Sequence, residues 1–111
     1  MDELTKKIFV FDLDKTLCNT PEDKHGVPIY KNSTPIKDRI LKVNKLFDHG
    51  NKIIIDTARG STSGIDYYDL TFNQLNEWGL SFHVLRTGVK YPSDFYIDDK
   101  AINHDVFFNQ Q

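Results

Sequence analysis

The sequence predicts an α/β domain with a central, mainly parallel sheet, and three observations carry that reading. Apolar runs alternate along the chain with stretches of helical spacing, the pattern of strands joined by helical crossovers. One run, Ile53-Ile54-Ile55, is wholly β-branched, as in a strand buried inside a sheet. Each run is followed by acidic, basic or hydroxyl residues, so the chemistry sits at the carboxyl ends of strands, where open α/β sheets bind ligands.

The first strand is Ile8 to Phe11, which runs directly into Asp12-Leu13-Asp14. Residues 18–35 contain Gly26, three prolines and many polar side chains, and read as a long loop or a small hairpin beside the active face. Ile36, Ile40, Val43, Leu46 and Phe47 follow helical spacing, with His49-Gly50 as the stop. Lys37, Arg39, Lys42 and Lys45 fall on the outer side of that helix and read as its solvated face. Lys52 to Asp56 is the second strand, followed by the small-residue loop from Thr57 to Gly64. A second helix carries Ile65, Tyr68, Phe72, Leu75 and Trp78 on one face and ends at Gly79. Phe82 to Leu85 forms a third strand and Asp94 to Ile97 a fourth, which ends in Asp98-Asp99.

At 111 residues there is room for one domain. A net charge of -2 gives no support for a nucleic-acid surface. One cysteine, Cys18, allows no internal disulfide and suits a reducing compartment, so a cytoplasmic location is expected. The Ile8–Phe11 run is too short for a signal peptide or a membrane span. His25, His49, His83 and His104 show no ligand spacing, which argues against a zinc site.

Two aspartates at a strand end are expensive to desolvate unless a cation compensates them. They belong to a set of four elements in order: Asp12-x-Asp14-x-Thr16, Thr57-Ala58-Arg59-Gly60, Lys90 and Asp98-Asp99. Together these resemble the haloacid dehalogenase (HAD) superfamily of phosphohydrolases, over residues 8 to about 102. The resemblance implies a three-layer Rossmann-like fold, and an Mg²⁺-dependent phosphomonoesterase acting through an aspartyl-phosphate. It assigns Asp12 as nucleophile, Asp14 as proton shuttle, Thr57 as hydroxyl donor to the phosphoryl oxygens and Lys90 as the neutralising charge. Asp12, Asp98 and the main-chain carbonyl of Asp14 would hold the metal, and hard oxygen donors suit Mg²⁺. Thr16 would brace the loop, and Asp99 would orient water or Lys90. Arg59 has two readings, gripping substrate or pairing with an acidic neighbour. Asp56 points away from Thr57 if the strand persists, toward a structural or exposed role.

Three departures stand out. Lys15 occupies a position most often filled by glycine; positive φ there would cost a lysine about 1 kcal/mol or more. Tyr91 intervenes between Lys90 and Pro92. No large cap domain fits after either of the first two elements, so residues 18–35 are the available cover. Such an open site suits a large substrate, or a small one enclosed by a neighbouring subunit in a homo-oligomer. Asp94 to Ala101 resembles small bacterial and phage members of the superfamily, capsule-biosynthesis phosphatases among them, and points to a sugar phosphate or other small phosphorylated metabolite. A phosphorylatable receiver-like signalling module, with Asp56 as acceptor, is the competing class; the order of the acidic motifs argues against it. A catalytically degenerate member retained for binding is a third reading.

Overall fold

The computed structural model describes residues 7–90, 93–95, 97–98 and 100–109. Strand β1 (Ile8–Phe11) is followed by a two-stranded antiparallel flap, β2 (Cys18–Asn19) with β3 (Thr34–Pro35), and by helix α1 (Lys37–Asp48). Then come β4 (Lys52–Thr57), α2 (Tyr68–Glu77), β5 (Val84–Thr87) and the short α3 (His104–Phe108). The main sheet has the order β1-β4-β5, and both pairings are parallel. The α/β class, the parallel sheet and the lack of a large cap among the described residues follow the sequence reading, consistent with a Rossmann-like arrangement.

Strand register sets two unlike faces. Phe9, Phe11, Ile53, Ile55 and Leu85 share one face and pack with Ile40 and Val43 of α1, Leu75 of α2, and Phe107 and Phe108 of α3. All three helices therefore contribute to one core on one side. The opposite face carries Ile8 and Val10, which are 67% and 58% exposed, and the Asp56–Arg86 ion pair. In place of three layers, the described residues form one helical layer on one sheet. No described helix lies between β5 and the region of Asp98, and Ile8 and Val10 stay exposed on the second face.

Several elements shift from their expected places. The fourth strand is not formed by the described residues of 94–97; Phe95 and Ile97 are 84% and 98% exposed and pair with no strand. The third strand lies two residues later than expected: the His83 main-chain N–H donates to the Ile53 carbonyl, His83 Nδ1 accepts the Ile53 N–H, and the ladder begins at Val84. Helix α2 starts at Tyr68 rather than near Ile65, where the Asp66 carboxylate accepts the Tyr68 N–H at 2.9 Å. Its buried face is Thr71, Gln74 and Leu75, while Tyr68 and Phe72 are exposed and stack on each other.

The basic cluster of α1 is also more than a solvated face. Arg39 donates to the Thr16 carbonyl at 3.0 Å and to Asp105 at 2.8 Å, and its guanidinium lies over Phe108. Lys42 donates to the Phe107 carbonyl. These two cations fasten α3 onto α1, and a five-residue helix needs such docking because isolated short helices are marginal in water.

Candidate functional site

The loop after β1 is built as a single turn on one carbonyl. Leu13 is fully buried, and its oxygen accepts N–H groups from Thr16, Leu17 and Cys18. With Phe11 and Leu13 pointing inward, Asp12 and Asp14 face outward together. Lys15 closes the turn by donating its N–H to the Cys18 carbonyl at 2.8 Å, and its φ is +70°. The left-handed backbone anticipated for a glycine-preferring position is therefore present, with a lysine in it.

Three strand ends converge on one cavity of about 290 Å³. Asp12, Asp14 and Lys15 line it from the first loop, Thr57, Ala58 and Arg59 from the end of β4, and Lys90 from the segment after β5. The flap supplies a wall through Thr20, Glu22, Pro28 and Tyr30. Residues 18–35 thus form a hairpin that borders the cavity. Its tip is set by the Asp23 carboxylate, which accepts the N–H groups of His25 and Val27.

The two aspartates differ sharply in their surroundings. Asp12 has Lys90 Nζ at 3.8 Å from its Oδ1. Burial nevertheless pushes its carboxyl above the ordinary value, and the Lys90 charge and the Leu13 N–H offset only part of that effect. Burial acts on Asp14 in the same direction, but it is outweighed: Arg59 donates from Nε to Oδ2 at 3.1 Å and from Nη2 to Oδ1 at 2.9 Å, and Thr20 donates at 2.6 Å. Its carboxyl is held below the ordinary value.

Arg59 itself is fully buried, and its choice between partners is settled here. Beyond Asp14, its Nη1 donates to Thr71 at 3.1 Å and Gln74 at 2.7 Å, and its Nη2 to Ser33 at 3.1 Å. A guanidinium has five N–H donors. All five have partners inside the protein, and the Tyr30 ring covers the group at 4.7 Å. Arg59 is therefore a structural clamp on Asp14 and has no donor left for a substrate. Gln74 extends the network by donating to the Tyr30 carbonyl at 2.7 Å, which ties the flap to α2.

Thr57 is buried at the end of β4, and its hydroxyl accepts the Arg59 N–H. Gly60 makes the following turn possible: its φ is +88°, and a Cβ there would sit 2.3 Å from the Ile65 carbonyl oxygen. Thr16 is buried, and its carbonyl accepts from Arg39. Asp56 lies on the opposite sheet face with both oxygens held by Arg86, at 2.8 and 2.7 Å.

Asp98 is not brought to this cluster. It is exposed, its Oδ1 accepts the Lys100 N–H, and it is not part of the cavity lining. The strand expected to deliver it is not formed by the described residues. Asp99, Tyr91 and Pro92 lie outside the described residues. Among the described residues no group of three His, Cys, Asp or Glu side chains is arranged to hold a metal ion. Of the expected metal ligands, the Asp12 carboxylate and the Asp14 main-chain carbonyl belong to residues that line the cavity, and that carbonyl accepts no hydrogen bond among the described residues. Both are hard donors of the kind Mg²⁺ takes beside several waters.

Thr20, Ser33, Thr71 and Gln74 were not singled out by sequence. The available signal was polar residues at the helical spacing Thr71–Gln74 on an otherwise apolar face, which marks a buried polar partner. No described helix is long and apolar enough to cross a membrane.

No family model matches the chain, and no curated protein matches it. Among solved structures, a target protein from Vibrio cholerae superposes with a TM-score of 0.80 at 23% identity, covering 95% of this chain and 89% of that one. At that identity the likeness speaks to the fold.

Proposed function

We propose that this protein is a phosphomonoester hydrolase of the HAD type, acting through phospho-Asp12. The observation that carries the reading is the convergence of Asp12, Asp14, Thr57 and Lys90 on one cavity, with the Lys90 ammonium 3.8 Å from the Asp12 carboxylate. A carboxylate attacks a phosphate dianion only where positive charge collects around both.

In the first displacement an Asp12 oxygen bonds to phosphorus as the ester P–O bond breaks, and Asp14 supplies a proton to the leaving oxygen. In the second, water bonds to phosphorus, its proton passes to Asp14, and the P–O bond to Asp12 breaks to release phosphate. Thr57 and Lys90 line the same cavity; in this reading Thr57 donates to a phosphoryl oxygen, and Lys90 offsets charge on nucleophile and phosphate. Arg59 favours the ionised form of Asp14, which suits the second displacement. Proton donation in the first is the more demanding role. Mg²⁺ held by Asp12 and the Asp14 carbonyl beside several waters would neutralise charge and orient the phosphate.

The cavity volume favours a small phosphorylated metabolite such as a sugar phosphate. The receiver-like alternative loses support from Asp56, whose oxygens are both engaged by Arg86. The test is Mg²⁺-dependent hydrolysis of p-nitrophenyl phosphate, followed by a panel of sugar phosphates and nucleotides. Turnover that disappears in Asp12→Asn and on chelation, and persists in Asp56→Asn, supports the reading. Wild-type rates in Asp12→Asn, or no turnover of any phosphate ester, would overturn it.

A further inference from the structure

We propose that Lys15 forms an anion subsite beside the phosphate position and selects phosphate esters whose leaving group carries a second negative charge. The placing of the phosphate rests on the hydrolase reading above; the subsite rests on Lys15 itself.

Lys15 is the non-glycine residue with positive φ among the described residues, at +70°. L residues adopt that backbone at a steric cost, and glycine adopts it at none. The turn by itself therefore has no use for a lysine side chain. Residues held in such conformations cluster at ligand sites, where the surrounding structure maintains them. Here the side chain is exposed at the cavity it lines.

The charges around it are already committed, and its own is not. Arg59 spends every donor inside the protein, and Lys90 faces Asp12. The Lys15 ammonium makes no ion pair among the described residues. An ammonium on a long, flexible stem acts as a point charge that can meet an anion at the mouth of a cavity. The flap wall opposes an anion on its own side, because Glu22 lines the same cavity and likewise makes no ion pair among the described residues. A second carboxylate or phosphate on the ligand is thus drawn to Lys15 and repelled by Glu22.

The experiment uses two phosphonates, propylphosphonate and 3-phosphonopropionate, which differ by exchange of a methyl group for a carboxylate. Their P–C bonds are not substrates for a phosphoester hydrolase, so binding is read without turnover. Calorimetric titration of wild type with Mg²⁺ present is expected to show about tenfold tighter binding of the carboxylate-bearing compound. Lys15→Gly removes that preference and raises the melting temperature by relieving the backbone, whereas Lys15→Arg keeps the preference. Equal affinities in wild type, including no binding of either compound, overturn the proposal. So does an equal loss for both compounds in Lys15→Gly, which would put the ammonium on the phosphonate group itself. Hydrolysis of p-nitrophenyl phosphate by the same wild-type sample decides the catalytic reading separately.

Discussion

Two nitrogens of Arg59 close on the two oxygens of Asp14, at 3.1 and 2.9 Å, across 45 residues of chain. The arginine is buried and the carboxylate side chain is 25% exposed, so this is an ion pair largely withdrawn from water. Removing one partner of such a pair strands the other, which costs about 3–5 kcal/mol.

Arg59→Met should therefore destabilise the fold by about 3–5 kcal/mol in urea titration, since it also abandons Thr71, Gln74 and Ser33. Adding Asp14→Asn to Arg59→Met should recover part of that loss, because the stranded charge is gone. A double variant no more stable than Arg59→Met would refute the coupling.

The Asp14 carboxyl is lower in the folded state than its ordinary value of 3.8. Its contribution to stability is present above that value and is lost as pH falls through the lower folded value. In chelator-containing buffer, Asp14→Asn should be less stable than wild type at pH 7, and the gap should narrow below pH 3.8. A gap independent of pH would contradict this.

Asp12 has the opposite sign, since burial raises its carboxyl and ionisation weakens the fold as pH rises past the unfolded value. Asp12→Asn should be at least as stable as wild type at pH 7 in the same buffer while abolishing turnover. Calorimetry beside the phosphatase assay separates the two effects. A variant that loses both stability and activity would show that Asp12 is a structural residue.

Gly60 and Gly64 both have positive φ, but only Gly60 has a backbone oxygen where a Cβ would go. Gly64→Ala should cost about 1 kcal/mol from its backbone conformation alone, and Gly60→Ala clearly more. Equal melting temperatures for the two variants would show that the Gly60–Ile65 approach is loose.

Cys18 is fully buried among Asp14, Thr20 and Arg59, and burial pushes its thiol up to about 12. Native protein at pH 8 should resist an aromatic disulfide reagent and react once unfolded in guanidinium. Rapid native labelling would mean that the flap opens to solvent.

The strand ends were legible in sequence because their signal is local. An apolar run followed at once by Asp12-Leu13-Asp14, or by Thr57, needs no knowledge of distant residues, and all four chosen side chains line one cavity. The small hairpin at 18–35 and the stop of α1 were legible for the same reason, as turn residues act on their own backbone. Helix α2 was legible only in part. Its apolar spacing placed Leu75 and Trp78 correctly against the core, but it also pointed to Tyr68 and Phe72, where Thr71 and Gln74 are buried instead because a buried guanidinium must be satisfied.

By itself, the sequence determined the α/β class, the parallel sheet and four of the side chains that line the cavity, Asp12, Asp14, Thr57 and Lys90. Tertiary structure alone decided that Arg59 serves Asp14, that Arg86 occupies Asp56, that the helices share one face, and that Lys15 holds a left-handed backbone at the cavity. Periodicity and chain breaks are properties of neighbouring residues. Which buried charge finds which partner depends on groups tens of residues apart, and on the cost of leaving either one alone.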